Sequence, residues 1–381
     1  MHNHVPAGFN PDFESLTCFD CGVSHELGEL QSTCRSCGLP LQVNLRLKPD
    51  TDPETVIDRS ISSLWRYRGV LPIELEAAVT LTEGWTPLIR ADDTTWIKDE
   101  ARNPTGSFKA RGMSMAVSAA VALGVKRLVA PSAGNAAGAL AAYGAAAGVE
   151  VLVAMPDDTP RPFVEECRQY GAQVELVPGT ISDSGRWLAD NRGSGDFDLS
   201  TLKEPFRVEG KKTMGYELWE QFDGDLPDVI VYPTGGGTGL VGMWKAFDEM
   251  ETMGWIGPGR PRLVSVQSDG CAPIVEGFAA GRERTMPWPN PQTTAYGLRV
   301  PDPIAGFICL RALHETGGTA VAVPESDIEP AAAAMSAATG VDGCPEAGAA
   351  WAGLGILRDQ GWIGEGDRVL VFSTGTGVKY R

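Results

Sequence analysis

From about Thr95 onward, short apolar and β-branched runs alternate with longer Ala-rich stretches. TTWIKDE precedes FKARGMSMAVSAAVALG, KRLVAP precedes NAAGALAAYGAAAG, VEVLVAMP precedes RPFVEECRQYG, and AQVELVPG precedes a polar helical stretch. The alternation resumes with DVIVYP before GGTGLVGMWKAFDEM and RLVSVQ before a helix near Ile274, then closes on DRVLVFS. Strand, glycine turn and helix in repetition predict βαβ units and a parallel sheet, hence an α/β fold. VLVAM and VIVY are apolar on successive residues, as expected of strands covered on both faces. Ligands of such open sheets bind beyond the carboxyl ends of the strands, so the loops there are the places to seek chemistry. Residues from about 280 to 303, with four prolines in WPNPQTTAYGLRVPDP, predict an irregular segment. Ala136 to Met155 is the longest weakly polar stretch. It carries Glu150 and reads as helix, turn and strand, so no membrane span is expected.

Composition narrows the class. At roughly 150 residues per domain, 381 residues predict two to three units. With 43% hydrophobic and 21% charged residues the chain falls in the ordinary globular range. Lys and Arg number 32 against 49 Asp and Glu, a formal charge of −17. So acidic a chain argues against nucleic acid and against an anionic membrane surface, both of which are held by basic side chains. The first fifteen residues show no basic start, apolar run or small-residue cleavage site, so no secretory signal and a cytoplasmic location are expected.

Eight cysteines are too few for a disulfide framework, but four lie within twenty residues. Cys18, Cys21, Cys34 and Cys37 form two C-x-x-C pairs separated by twelve residues, with Gly22 and Gly38 directly after each pair. The glycines suit tight turns, and four thiolates suit a closed tetrahedral zinc site. A small zinc-ribbon-like module is therefore expected over 1–45, ahead of a larger unit over 46–381 with a nested smaller subdomain at about 112–210. His25 lies inside the ribbon and is expected at its surface. Only Arg35 falls between the first and last cysteine, too little positive charge for a nucleic-acid finger.

Four loops at strand ends carry the candidate chemistry. Asn103-Pro104-Thr105-Gly106-Ser107-Phe108-Lys109 opens directly into a helix. An ammonium at the positive end of a helix dipole is disfavoured, which is the condition a Schiff-base lysine needs. Ser132-Ala133-Gly134-Asn135 also opens a helix, where an Asn side chain either caps or binds a ligand. Thr234-Gly235-Gly236-Gly237-Thr238-Gly239 exposes consecutive amides at a helix start, a cradle for phosphate. It is neither a nucleotide-triphosphate loop nor G-x-G-x-x-G. Ser373-Thr374-Gly375-Thr376-Gly377 ends the last strand with small hydroxyls. An amine, an amide, an anion cradle and a hydroxyl are the groups that pyridoxal phosphate requires.

In that order NPTGSFKARG, SAGNAAG, TGGGTG and STGTG resemble the fold-type II pyridoxal-phosphate enzymes along nearly the whole chain. The CxxCG pairs, Trp65-Arg66-Tyr67-Arg68, EGWTPL at Glu83 to Leu88, and Glu209-Gly210-Lys211-Lys212-Thr213 resemble more narrowly the zinc-ribbon-bearing threonine synthases. The resemblance implies two open parallel α/β sheets with the cofactor between them, a homodimer, and a small amino-acid substrate. It implies conversion of O-phospho-L-homoserine and water to L-threonine and phosphate, with a threonine or serine ammonia-lyase or a β-replacement enzyme as the alternative. Lys109 would carry the cofactor and shuttle protons, and Asn135 would bond its phenolate oxygen. Gly235, Gly236, Gly237, Thr238 and Gly239 would hold its phosphate, and Thr374 would face the pyridine nitrogen. Ser107, Ser132, Ala133 and Gly134 would line the substrate carboxylate pocket. Those synthases usually read SFKDRG and TGHG, where this chain has Ala110 and Thr376.

A phosphorylated substrate needs a second anion site, for which Arg111, Arg161, Lys211 and Lys212 are candidates. Trp65, Trp85, Trp219 and Trp244 are scattered and expected in packing rather than stacking. His314 is expected at the surface. Cys167, Cys271, Cys309 and Cys344 are expected to be buried small hydrophobes, with Cys344, in a loop before Pro345-Glu346, the one to test for reactivity.

Overall fold

The computed structural model describes residues 5–381, so residues 1–4 of the expected N-terminal module lie outside the described residues. Three short antiparallel strands come first, β1 (Phe13–Cys18), β2 (Ser24–His25) and β3 (Leu41–Leu45), in the order β2-β1-β3. A single turn α1 (Pro53–Val56) leads through 3-10 segments to β4 (Leu88–Arg90) and β5 (Thr95–Asp99). The expected alternation follows: α2 (Lys109–Ala122), β6 (Arg127–Pro131), α3 (Asn135–Ala147), β7 (Glu150–Pro156), α4 (Arg161–Gln169) and β8 (Gln173–Val177). Then come α5 (Ile181–Asn191), β9 (Asp196–Asp198), α6 (Phe206–Gln221), β10 (Val229–Pro233), α7 (Thr238–Thr252), β11 (Arg262–Ser268) and α8 (Pro273–Ala279). Residues 280 to 303 are irregular apart from one 3-10 turn, as their prolines dictate. The chain continues with α9 (Gly306–Glu315), β12 (Thr319–Val323), α10 (Glu325–Thr339), α11 (Pro345–Asp359) and β13 (Val369–Ser373).

The chain divides into two compact units. One comprises the residues up to Trp85, Asn103–Thr105 and Lys109–Thr213; the other comprises Thr86–Arg102, Gly106–Phe108 and Met214–Arg381. The first contains an all-parallel sheet of order β8-β7-β6-β9 besides the N-terminal three-stranded sheet. In the second the order is β12-β11-β10-β13-β5-β4, parallel except for β4 at the edge. Every residue of β10 and β13 is buried, which is why both read as unbroken apolar runs. No helix among the described residues is long and apolar enough to cross a membrane.

Each unit is braced by buried polar contacts that its apolar pattern does not reveal. In the first, Glu83 accepts hydrogen bonds from Trp65 Nε1 at 2.9 Å, from Leu81 N at 2.9 Å and from the Tyr143 hydroxyl. That carboxylate ties the WRYR segment to EGWTPL, so both phrases serve packing here. Arg66 stacks over Trp85 at 3.8 Å. α2 and α6 cross closely: a Cβ on Gly210 would lie 2.0 Å from the Arg111 carbonyl oxygen, so only glycine fits. Phe206, at the start of α6, meets the Phe9 and Phe13 rings, which anchors the N-terminal sheet to that helix.

In the second unit Lys98, the fourth residue of β5, is wholly buried. Its ammonium meets Glu217 at 2.5 Å, the Thr86 carbonyl at 2.6 Å and Gln221 at 2.8 Å. Glu217 also accepts from Thr86 N at 2.6 Å. Removing one partner of such a pair leaves an uncompensated buried charge. Glu217→Ala is therefore expected to cost about 3–5 kcal/mol of unfolding free energy. The double variant Lys98→Met/Glu217→Leu should cost distinctly less, and denaturant titration of both against the parent checks the difference.

Candidate active site

The second unit brings three predicted loops together. β10 and β13 are parallel neighbours in register from Val229 with Val369 to Val231 with Val371, so the loops after them leave the same sheet edge side by side. The first runs into α7, whose N-cap is Gly237 with φ at +84°. Added Cβ atoms would lie 2.0 Å from the Gly297 carbonyl at Gly235, 2.3 Å from Cys309 Sγ at Gly237 and 1.9 Å from the Tyr232 hydroxyl at Gly239. Bare backbone is thus enforced at these three positions, which stand at the start of a fifteen-residue helix, where backbone amides favour an anion. Thr238 is buried with them and Gly236 is half-buried.

Segment 106–108 lies against the β13 loop. Ser107 bridges Gly375, the Phe108 amide donates to the Thr374 carbonyl at 3.0 Å, and the Thr376 amide donates to the Gly106 carbonyl at 2.9 Å. Phe108 meets the Tyr232 ring edge-on at 6.1 Å. Ser107 Oγ and Ser373 Oγ are buried and have no hydrogen-bond partner within the protein, and such orphaned hydroxyls fit a site completed by a polar ligand. Thr376, one of the departures from the synthase motif, is taken up structurally. Its hydroxyl lies 3.4 Å from Asp342, accepts from Val378 N at 3.2 Å, and caps the final turn.

The first unit holds the other candidates. Lys109 is the first residue of α2 and half-buried, as the dipole argument requires. Asn135 is the first residue of α3, but the N-cap is Gly134, so its side chain is not the helix cap. Ser132, Ala133, Gly134 and Asn135 are all half-buried at the carboxyl end of β6. Of the four proposed anion-site cations, Arg161 is excluded as a buried group: its side chain is 88% exposed and faces Glu165 at 3.6 Å. Arg111, Lys211 and Lys212 are wholly buried instead of solvated. Lys212 pairs with Glu209 at 2.7 Å, and Arg111 donates to Thr213 Oγ1 at 3.2 Å. Ala110, between Lys109 and Arg111 in sequence, is fully buried.

The four N-terminal sulfurs all lie within 4.8 Å of one another. Asp20 N and Ser36 N each donate to a sulfur at 3.4 Å, from Cys18 and Cys34 respectively, and Gly22 and Gly38 adopt φ of +69° and +76°. Burial would raise the Cys34 thiol, but the Cys37 and Ser36 amides and the His25 ring bring it down to about 6. His25 is therefore not the surface residue expected. It is buried, with Nε2 at 3.3 Å from Cys34 Sγ. The donor set suits a tetrahedral thiolate-bound metal.

Among the other cysteines, Cys167, Cys271 and Cys309 are buried as expected, and burial pushes Cys309 up to about 12. Cys344 is not a reactive loop thiol. It is 1% exposed, caps α11, and its thiol is held well above its ordinary range by burial and by the Glu346 charge. Its amide donates to the Gly375 carbonyl at 3.1 Å, beside the predicted cofactor hydroxyl of Thr374. The proximity of Cys344 and Glu346 to these loops has no sequence signal, because it depends on strand order. Trp65 is wholly buried, and His314 is exposed and stacked on Phe278.

Residues 79–375 match the family described as pyridoxal-phosphate dependent enzyme. The threonine synthase of Methanosarcina acetivorans is 33% identical over 94% of this chain and 91% of its own length. That of Methanocaldococcus jannaschii is 32% identical over 95% and 92%. Among solved structures, maize serine racemase superposes with a TM-score of 0.64 at 22% identity, covering 77% of this chain and 88% of its own. An L-serine ammonia-lyase of Rhizomucor miehei gives 0.65 at 20% identity, covering 78% and 97%. Both confirm the α/β fold with its parallel sheets.

The glycine cradle yields a direct test. Gly239→Ala collides with the Tyr232 hydroxyl and is expected to destabilise the chain by about 1–3 kcal/mol while weakening uptake of pyridoxal phosphate. Both losses are read against the parent by thermal unfolding and by the absorbance of bound cofactor.

Proposed function

The chain belongs to the pyridoxal-phosphate-dependent enzyme family, and within it we propose that it catalyses the conversion of O-phospho-L-homoserine and water to L-threonine and phosphate. The observation that carries this reading is the match to two archaeal threonine synthases along more than nine-tenths of the chain. The chemistry of the residues fits the cofactor: bare backbone at a helix start, two buried hydroxyls without a partner within the protein, and a lysine that opens a helix support this reading.

Pyridoxal phosphate, when bound, supplies the electron sink that stabilises negative charge at the substrate's α carbon. Gly235, Gly236, Gly237, Thr238 and Gly239 would hold its phosphate through their amides, and Asn135 would orient the ring through its phenolate oxygen. Thr374 would meet the ring nitrogen. A hydroxyl there, unlike a carboxylate, does not force that nitrogen to carry a proton, which suits elimination and replacement at the β and γ carbons over amino transfer. The Lys109 amine would hold the cofactor aldehyde and move the substrate's α proton. Ser107 and the Ser132-Ala133-Gly134 backbone would bind the substrate carboxylate. Arg111, Lys211 and Lys212, all buried in the first unit, are the cations this reading would call on for a phosphorylated substrate.

Cys18, Cys21, Cys34 and Cys37 would hold one structural zinc, making residues 1–45 a metal-stiffened module ahead of the catalytic unit with its nested segment at about 112–210. A cytoplasmic homodimer belongs to the same reading.

Incubating the cofactor-loaded protein with O-phospho-L-homoserine should release phosphate and threonine in equal amounts. Phosphate accompanied by 2-ketobutyrate would overturn the assignment in favour of a lyase of the same fold. Lys109→Ala should lower turnover by at least about 100-fold, the scale of a lost proton-transfer group. Metal analysis should return one zinc per chain, and Cys34→Ser should lose the metal and lower the melting temperature.

A further inference from the structure

The two halves of the cysteine cluster are near copies of each other. Gly22 N donates to the Cys18 carbonyl at 3.2 Å, and Gly38 N donates to the Cys34 carbonyl at 2.8 Å. The Asp20 amide faces Cys18 Sγ and the Ser36 amide faces Cys34 Sγ, each at 3.4 Å. In both turns the first cysteine is buried and the second exposed. His25 breaks the repeat. It lies in β2 after the first turn, paired with Leu16 of β1, yet its Nε2 stands 3.3 Å from Cys34 Sγ in the second turn. The ring is buried at 8% exposure. Arg35, the one Lys or Arg between the first and last cysteine, is exposed and turned to Glu29 instead.

We propose that His25 is a positioning residue of the metal site: its Nε2–H donates to the Cys34 thiolate, while the ring itself stays off the metal. The inference rests on the zinc reading above. Four thiolates around one divalent cation leave a net negative charge, and N–H groups that face the sulfurs stabilise it. A metal-bound cysteine is a thiolate and has no proton to give. The hydrogen between Nε2 and Sγ therefore belongs to the nitrogen, which fixes the tautomer of the ring. The four sulfurs lie within 4.8 Å of one another and already make a full tetrahedral set, so the imidazole has no coordination position to fill. An N–H on sulfur offsets part of the thiolate charge and sets the direction of the side chain, which is how outer partners strengthen a metal site. Because His25 follows the first turn and Cys34 opens the second, the same bond ties the two halves of the module together.

Two metals replace zinc in the test, which uses the full chain. Wild type labelled with 15N at histidine is loaded with 113Cd and examined by NMR. One ring N–H, absent from His25→Gln, should exchange slowly and show scalar coupling to 113Cd through the sulfur. Direct coupling of the ring nitrogen to 113Cd would make the imidazole a ligand and overturn the proposal. The absence of any coupled ring proton overturns it as well. Wild type, His25→Gln and His25→Phe are then loaded with Co(II) and their sulfur-to-cobalt charge-transfer absorption is recorded. Phenylalanine keeps a ring but has no donor, and should move the band to longer wavelength. Glutamine restores an N–H and should bring the band back toward wild type. His25→Phe should also bind the metal about 10–100-fold more weakly in competition with a chelator. The same band position in all three chains overturns the proposal. Failure of wild type to bind either metal would instead overturn the zinc reading on which the inference rests.

Discussion

The parallel pairing of β10 with β13 is the constraint on which the second unit's chemistry depends. Ladder hydrogen bonds set the register, and the register places a glycine cradle and a hydroxyl-bearing turn at the same edge. Segment 106–108 is then bonded onto that turn by its own amides and carbonyls. Each loop taken alone is an ordinary polar turn. Their conjunction comes from the sheet, whose order carries β10 toward β11 on one side and β13 on the other, the kind of switch point where open sheets bind ligands.

Most of this was legible because strand ends announce themselves. Seven apolar runs predicted β5, β6, β7, β8, β10, β11 and β13, and all seven form. Residues 304 to 360 carry no comparable signal. α10 is Ala-rich with Pro330 inside it and α11 is rich in Ala and Gly, so neither shows a polar stripe against an apolar one. β12 is a five-residue edge strand whose burial is only partial. The candidate site was legible wherever chemistry needs a particular residue type in a particular local frame, such as glycine with a positive φ or a lysine at a helix start. Glu83, Lys98, Glu217 and Cys344 were invisible as a class, since their partners lie tens to more than a hundred residues away and only the fold supplies them.

Buried charge plays two different parts in the two units. Around Lys98 and Glu217 it fastens Thr86, β5 and α6 together. Around Arg111, Lys211 and Lys212 it concentrates positive side chains beside the first turn of α2. The His25 contact in the cysteine cluster is a third use of a buried polar group, since the imidazole holds the Cys34 sulfur in place.

The position of β13 in the six-stranded sheet has a consequence for biosynthesis. It lies between β10 and β5, yet it is translated after every other strand. Until it emerges from the ribosome, both neighbours keep a row of unpaired backbone groups along strands made for burial. Such open edges recruit other chains. The nascent protein therefore stays association-prone until β13 is made, and the six-stranded sheet closes only then. Loop closures of this length slow folding, so the newly made chain is a natural client for chaperones that shield exposed strands.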